Sequence, residues 1–271
     1  MAQALAEAKA TGVDRLDAQL LLARAVGRSR SWLLAHDDAI LSTGQASGFR
    51  SELHRRAGGE PLAYIVGEKE FHGLLLQVNA SVLVPRPETE ALVDWGLEIL
   101  DGALAGVARP DVLDLGTGSG AIGLALKHSR PPARVVATDI SADALDVAKA
   151  NADRLGLAIE FQGGSWWAGL AGRRFHLIVS NPPYVAPDDP HLAALGHEPR
   201  MALTPGGDGL EALATIAGGA AGHLAAAGWL LLEHGHDQAS AVQALLQRHG
   251  YCEVQTRLDL AGRPRCTGGR L

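Results

Sequence analysis

Residues 112–126 read VLDLGTGSGAIGLAL. A short apolar run, three alternate glycines and a second apolar run at helical spacing describe a strand that turns sharply into a helix. Glycine tolerates positive φ and lets a ligand approach the backbone, and the N–H groups at a helix start are free to face an anion. Gly116, Thr117, Gly118, Ser119 and Gly120 are therefore candidate ligand-binding residues. The spacing is ambiguous, because Gly116, Gly118 and Ala121 also satisfy the loose dinucleotide fingerprint GxGxxG/A. Both patterns point to a nucleoside ligand. A tight turn with no ligand is the plainer alternative, and three alternate glycines in one turn speak against it.

Outward from this turn, short apolar strands alternate with helical stretches. VLDLG (112–116), RVVATD (134–139), AIEFQGG (158–164), FHLIVS (175–180) and GWLLLEHG (228–235) are the strands. Such alternation predicts an α/β fold with a doubly wound sheet. The end differs: YCEVQTRLDL (251–260), a turn at AGRP (261–264) and RCTGGRL (265–271) read as a terminal antiparallel hairpin. Pairing about that turn sets Cys252 and Cys266 about seven residues out of register, roughly 20 Å apart at about 3.3 Å per residue. A disulfide needs Cα atoms within about 7 Å, so none is expected.

Residues 1–70 read as a small helical domain that positions a partner. In VDRLDAQLLLARAVGRS (13–29), Leu16, Leu20 and Ala23 recur at helical spacing and Gly27 supplies a stop. A second helix fits SRSWLLAHD (29–37); a third fits 43–61, with Thr43 as cap, Phe49 and Leu53 on one face, and Gly58, Gly59 and Pro61 at its end. Residues 71–88 are expected to link this domain to a catalytic domain at 89–271 through a β-hairpin, two apolar runs around Asn79-Ala80-Ser81. Pro87 suits the first position of the next helix, with Glu88 and Glu90 in its first turn. Arg86 reads equally well as a solvated linker residue or as one facing the site.

Composition narrows the function classes. The 271 residues can hold one large or two modest domains. No stretch approaches the roughly 20 apolar residues of a membrane span, and the N-terminus lacks a basic segment followed by an apolar one. A cytoplasmic, monomeric protein without membrane attachment is the expectation. The net charge is −6, and residues 1–70 carry nine Lys or Arg against nine Asp or Glu. That balance provides no electrostatic footprint for stable nucleic-acid binding. Two cysteines outside any CxxC pair read as structural thiols. His234 and His236 share a strand face, but no third ligand stands at motif spacing, so no metal is expected. Glu233 ends a strand, either near the cleft or in a local pair.

Asp139 closes the second strand, about twenty residues past the glycine turn, where a carboxylate can accept both hydroxyls of a ribose. The alternative, capping the next helix, falls more naturally to Ser141. At 180–184 the chain reads SNPPY. Two prolines end the strand, because each lacks an N–H and fixes φ. In a doubly wound sheet this point faces the same crevice as the glycine turn. Asn181 offers a side-chain acceptor, Pro182 and Pro183 stiffen a turn whose carbonyls lack competing donors, and Tyr184 offers a flat face. These features suit a substrate with a conjugated –NH2 group.

The constellation resembles the S-adenosylmethionine-dependent methyltransferases that act on planar amino groups, and the fold implied is their Rossmann-like sheet. GEPLAYIVGEKEF, VLVPRPETE, DLGTGSGAIGLAL, SNPPY, DPHL, EPRMAL, LLLEHG and a terminal GR together resemble the bacterial protein-(glutamine) methyltransferases of class 1 peptide chain release factors, nearly end to end. The resemblance implies S-adenosyl-L-methionine as cofactor, S-adenosyl-L-homocysteine as product, and a release factor as protein substrate. It implies that Gly116 to Gly120 cradle the methionine end, that Asp139 holds the ribose and that Trp166 lies beside the adenine. Asn181, Pro182, Pro183 and Tyr184 would form the glutamine pocket, with Asn181 also near the cofactor and with Asn181, Pro182 and Tyr184 as the catalytic set. Two departures stand out. Ser165 occupies a position where the family often has an acidic residue, and the stretch between DPHL and EPRMAL is shorter than usual.

Hydrogen bonds from an amide –NH2 to Asn181 and Pro182 would localise charge on nitrogen and fix its approach to a methyl donor, with no dedicated general base. The alternatives are methylation of glutamine on a large-subunit ribosomal protein, methylation of an exocyclic amino group in DNA or RNA, and a nicotinamide-dependent dehydrogenase, which leaves NPPY without a purpose.

Overall fold

The computed structural model describes the backbone of residues 1–271 and every side chain except that of His191, in the DPHL stretch. The chain divides into two compact units, Met1–Gly67 and Glu68–Leu271.

The first unit holds α1 (Ala2–Ala10), α2 (Arg15–Val26), α3 (Arg30–Ala35), α4 (Thr43–Ala57) and α5 (Leu62–Val66). Asp14 opens α2 by accepting the Leu16 N–H at 2.7 Å, and Gly27 closes it in the left-handed region at φ 65°. Of the three residues read at helical spacing on α2, Ala23 alone is buried. Ala18, Leu21 and Leu22 turn inward to pack with Phe49 and Leu53 of α4, while Leu16 and Leu20 are 45% and 38% exposed. The run Leu20-Leu21-Leu22 offers two adjacent stripes at 3.6-residue period, and packing against α4 selects between them. The cap of α4 is Ser42 rather than Thr43: Ser42 Oγ accepts the Gln45 N–H at 3.2 Å and Gln45 Oε1 accepts the Ser42 N–H at 3.0 Å. A capping box satisfies two orphan donors at once, which Thr43 one residue later could not do.

The second unit opens with an antiparallel hairpin, β1 (Glu68–Phe71) and β2 (Leu74–Gln77). The turn is His72-Gly73, with φ of 49° and 77°, and not Asn79-Ala80-Ser81 as the sequence suggested. A two-residue turn with both φ positive matches strand twist and sets Phe71, Leu74 and Leu76 inward. Asn79 instead accepts the Ser81 N–H at 2.8 Å and starts a loop that runs to Arg86. A single 3₁₀ turn, Pro87–Thr89, leads into α6 (Glu90–Asp101).

The rest is β3 (Asp111–Leu115), α7 (Ala121–Ser129), β4 (Arg134–Asp139), α8 (Ala142–Leu155), β5 (Glu160–Gly163), β6 (Phe175–Ser180), α9 (Glu211–Ala220), β7 (Leu224–Glu233), α10 (Ala239–Arg248), β8 (Cys252–Leu258) and β9 (Pro264–Arg270). The seven strands lie in the order β5-β4-β3-β6-β7-β9-β8, parallel except where β9 pairs antiparallel with β7 and β8. This is the doubly wound sheet with a terminal hairpin that the strand pattern predicted. Alternate strand residues supply two cores. Val112, Leu177 and Val179 pack with Leu92 and Trp95 of α6 and Leu124 of α7; Leu113, Leu115 and Ile178 pack with Leu213 and Ile216 of α9 and Val242 of α10. The chain switches direction across the sheet at β3, so a crevice opens beyond the carboxyl ends of β3, β4 and β6.

In the terminal hairpin Arg257 faces Cys266 and Cys252 faces Arg270. The offset between the cysteines is thus five residues along β8 rather than seven. Asp259 causes the difference: its Oδ1 accepts the N–H groups of Ala261 and Arg263, both at 2.9 Å, and tightens the turn. Cys252 is exposed and Cys266 buried, both free thiols. Among the described residues no helix is long and apolar enough to cross a membrane.

Candidate active site

The glycine turn is held from beneath. The N–H groups of Gly116 and Thr117 both donate to the Thr138 carbonyl, at 2.9 and 2.8 Å, so the turn rides on the end of β4. Thr117 Oγ1 donates to Asp114 Oδ2 at 2.6 Å, and the Gly123 N–H reaches the same oxygen at 2.9 Å. Burial pushes the Asp114 carboxyl up to about 6 despite these two donors. Asn151 of α8 donates to the Ser119 carbonyl at 3.0 Å and to the Gln77 carbonyl at 2.9 Å, and accepts the Gln77 N–H at 2.6 Å. It ties the turn to the β1–β2 hairpin. Gly118 sits at φ 55°, and no protein atom lies within 4 Å of where its Cβ would be.

Asp139, at the end of β4, accepts the Gly118 N–H at Oδ2 and the Ser141 N–H at Oδ1, each at 2.9 Å. Ser141 Oγ caps α8 by accepting from Ala144. The carboxylate is therefore oriented by two backbone donors and keeps lone pairs for a ligand.

These residues line a cavity of about 370 Å³, within the usual range of small-molecule sites. Gly116, Thr117, Gly118, Ser119, Asp139 and Trp166 line one part of it; Asn181, Pro182 and Pro183 line another. Gly120 and Tyr184 do not line it. Gly120 starts α7 at φ 86°, and a Cβ there would come 2.8 Å from Leu124 Cδ1. Tyr184 points its hydroxyl away, donating to Glu233 Oε1 at 3.0 Å. The two tryptophans after Ser165 diverge: Trp166, at φ 46°, faces the cavity, whereas Trp167 stacks on His223 with ring centroids 4.8 Å apart.

Asn181 donates from Nδ2 to Thr89 Oγ1 at 3.2 Å. Among the described residues no hydrogen bond reaches the Pro182 carbonyl. The Asn181 side chain thus turns its NH2 end toward Thr89 and bonds it with one of its two N–H groups, and an unengaged carbonyl follows it on the same wall.

Residues that the sequence left open or unmarked line the cavity or lie close to its walls. Arg86 lines the cavity and donates from Nη2 to Glu198 Oε1, while Glu198 Oε2 accepts the Val84 N–H at 3.0 Å. Arg86 is a paired cavity residue, not a solvated linker. Thr89 is buried yet lines the cavity beside Asn181, and Glu233 is buried outside it. Burial raises the Glu233 carboxyl to about 7, with the Tyr184 hydrogen bond opposing the rise, and Glu233 Oε2 is buried without a hydrogen-bond partner. His234 is buried, with Nε2 on Thr267 Oγ1 at 2.7 Å and Nδ1 on the Gly235 carbonyl at 2.8 Å; His236 is exposed. Nothing in the local sequence marks Thr89 or Glu198, because each meets its partner across a large span of chain.

Comparison with known proteins places this geometry. A family model described as methyltransferase small domain matches residues 89–210, and one described as PrmC N-terminal domain matches residues 1–67. A release factor glutamine methyltransferase of Bordetella pertussis is 49% identical over 263 residues, 96% of each chain. That of Burkholderia pseudomallei is 47% identical, covering 97% of this chain and 94% of its own. Among solved structures, a Thermus thermophilus 16S rRNA N2 G1207 methyltransferase in complex with AdoMet and guanosine superposes with a TM-score of 0.55 at 18% identity, over 75% of this chain and 49% of that one. At that identity the match speaks for the fold alone.

Proposed function

The chain belongs to the release factor glutamine methyltransferases, and from that membership we propose that it methylates a release-factor glutamine, with S-adenosyl-L-methionine as methyl donor. The acceptor is the side-chain amide nitrogen of a Gly-Gly-Gln motif in a class 1 release factor, and the work is done in the cytoplasm. Asn181 carries the proposal: its NH2 end is held at Thr89 by one hydrogen bond, which turns its oxygen away from Thr89, on a cavity wall shared with Pro182.

The residues present fit the donor. Asp139 is acceptor-only, oriented and on the cavity surface, which suits a ribose diol. Trp166 offers a ring face for adenine, and the Gly116–Ser119 backbone a close approach for the methionine end. When bound, S-adenosyl-L-methionine supplies an electrophilic methyl group and leaves as S-adenosyl-L-homocysteine.

An amide nitrogen is a weak nucleophile because its lone pair is delocalised into the carbonyl. Asn181 Oδ1 and the Pro182 carbonyl, each accepting one N–H of the acceptor amide, raise electron density on nitrogen and hold it in one orientation. Preorganised contacts of this kind are each worth about 3–4 kcal/mol of barrier. Once the nitrogen has gained its methyl group it is strongly acidic and gives a proton to solvent, so no side chain serves as general base.

Single-turnover methylation of a release factor with Gly-Gly-Gln, beside a Gly-Gly-Ala control, tests the reading. The expected result is label on the first protein only, and a rate about a hundredfold lower for Asn181→Ala with cofactor affinity little changed. A near wild-type rate for that variant, or label on the control, would overturn it.

A further inference from the structure

The turn that joins β8 to β9 presents two large apolar side chains to solvent: Leu258 is 56% exposed and Leu260 98%. Single exposed leucines are ordinary on a protein surface, but these two stand on a built platform. Asp259 between them is buried. Its Oδ1 accepts the Ala261 and Arg263 N–H groups, and its Oδ2 pairs with Arg265 at 3.5 Å. Its backbone N–H donates to the Arg263 carbonyl at 2.8 Å, and its carbonyl accepts the Gly262 N–H at 2.9 Å. The backbone of the turn is fixed, and Leu260 is held out in water. An apolar group on a fixed backbone loses little freedom when a partner covers it. Arg263, also exposed, forms no ion pair among the described residues.

The strand register fixes where the turn stands. Ser180 of β6 pairs with Leu232 of β7, Leu232 with Thr267 of β9, and Thr267 with Thr256 of β8. That row crosses three strand spacings, roughly 14 Å at about 4.8 Å each. Because β8 runs in the direction of β6, Asn181 and Leu258 both lie just past the row, at the carboxyl edge of the sheet. One partner's share of a stable protein complex is about 800 Å², which as a circle has a radius of roughly 16 Å. A footprint centred on Asn181 therefore reaches the turn. None of residues 258–263 lines the cavity, so the turn can meet the body of a protein substrate but not the side chain seated at Asn181.

We propose that the 258–263 turn is a docking element for the release factor. Leu258 and Leu260 enter an apolar recess on the factor beside its Gly-Gly-Gln loop, and Arg263 faces a carboxylate at the rim of that recess. The proposal rests on the reading of Asn181 as the place where the acceptor glutamine is seated, since that seat puts the factor over the carboxyl edge. The leucines supply apolar area at the periphery of the contact, and the arginine supplies attraction during approach.

The test uses the full-length enzyme and a release factor whose acceptor glutamine is replaced by alanine, which can bind but cannot react. By calorimetry, the enzyme carrying Leu258→Ser together with Leu260→Ser is expected to bind this factor at least about tenfold more weakly. Leu260→Ser alone, at a side chain too exposed to support the fold, should weaken it about threefold or more. The Kd for S-adenosyl-L-methionine should stay within about twofold in both, and with the reactive factor KM should rise while kcat stays within about twofold. Arg263→Glu should slow association at low salt by about threefold or more. Wild-type Kd and KM for the factor in the double variant overturn the docking element and leave the acceptor reading standing. A factor that is bound through the leucines but gains no methyl group on its glutamine upholds the docking element and overturns the acceptor reading. A wild-type dimer in sedimentation that Leu260→Ser dissolves identifies a second copy of the chain as the occupant and overturns the proposal.

Discussion

Replacing Glu233 by Gln should stabilise the protein in neutral and alkaline solution. In the unfolded chain a glutamate titrates near 4.5, and in the fold burial lifts Glu233 to about 7. Between those values the native state holds a proton that the unfolded state has lost, so stability falls as pH rises through the window. At about 1.36 kcal/mol per pH unit, the ionised carboxylate costs about 3 kcal/mol once pH exceeds 7. Below 4.5 the carboxyl is neutral in both states and the cost vanishes. Glutamine keeps the shape and can still accept from Tyr184, but carries no charge at any pH. Asp114, raised to about 6, adds a pH dependence of its own, and it cancels when variant and wild type are compared. Thermal unfolding from about pH 5 to about pH 8 should therefore show the variant gaining on the wild type by about 3 kcal/mol. For a unit of this size that is about 6–12 °C in Tm. A difference in Tm that does not change with pH would refute the assignment of a buried, late-ionising carboxylate.

Asp139→Ala should weaken S-adenosyl-L-methionine binding by at least about tenfold, since each hydrogen bond to a charged acceptor is worth about 1.5–3 kcal/mol; calorimetry showing unchanged affinity would remove Asp139 from the site. Tyr184→Phe removes a donor from the buried carboxylate, so the pH up to which stability keeps falling should move upward and stability at pH 8 should drop by about 1–3 kcal/mol; an unmoved limit would show that the hydroxyl does nothing for Glu233. Glu198→Gln loses the charge that anchors Arg86 and should loosen the 82–86 wall, read as faster proteolysis of that loop and a KM raised more than kcat is lowered. Equal proteolysis would mean that the Val84 contact alone holds the loop.

What the sequence made legible is what depends on neighbours along the chain. The glycine turn, each strand and helix of the alternation, the two prolines that end β6 and the turn of the terminal hairpin announce themselves through their neighbours in sequence. Local patterns failed where two solutions were equally good locally. Leu16 and Leu20 read as a core stripe until α4 selects the adjacent one, and Asn79-Ala80-Ser81 reads as a turn until the His72-Gly73 pair proves able to take positive φ at both positions. The same limit applies to the site. Asp139 and Asn181 stand at strand ends, where topology alone directs them to the crevice. Thr89, Glu198 and Glu233 acquire meaning only from partners 49 to 114 residues away in sequence. Tyr184 shows both sides of this: its place in the motif is plain, but the destination of its hydroxyl is a carboxylate on another strand.

Asn151 has a consequence for how the binding turn opens to solvent. Its one side chain bonds the backbone of Gln77 twice and the backbone of Ser119 once, across three segments. Lifting the glycine turn off α8 breaks the bond at Ser119, and lifting the hairpin breaks the pair at Gln77, so loss of either anchor leaves a buried amide short of partners. The hairpin and the turn consequently share one opening event. In hydrogen exchange the two are expected to be protected together, with the glycine turn opening no more readily than the strand pair beside it.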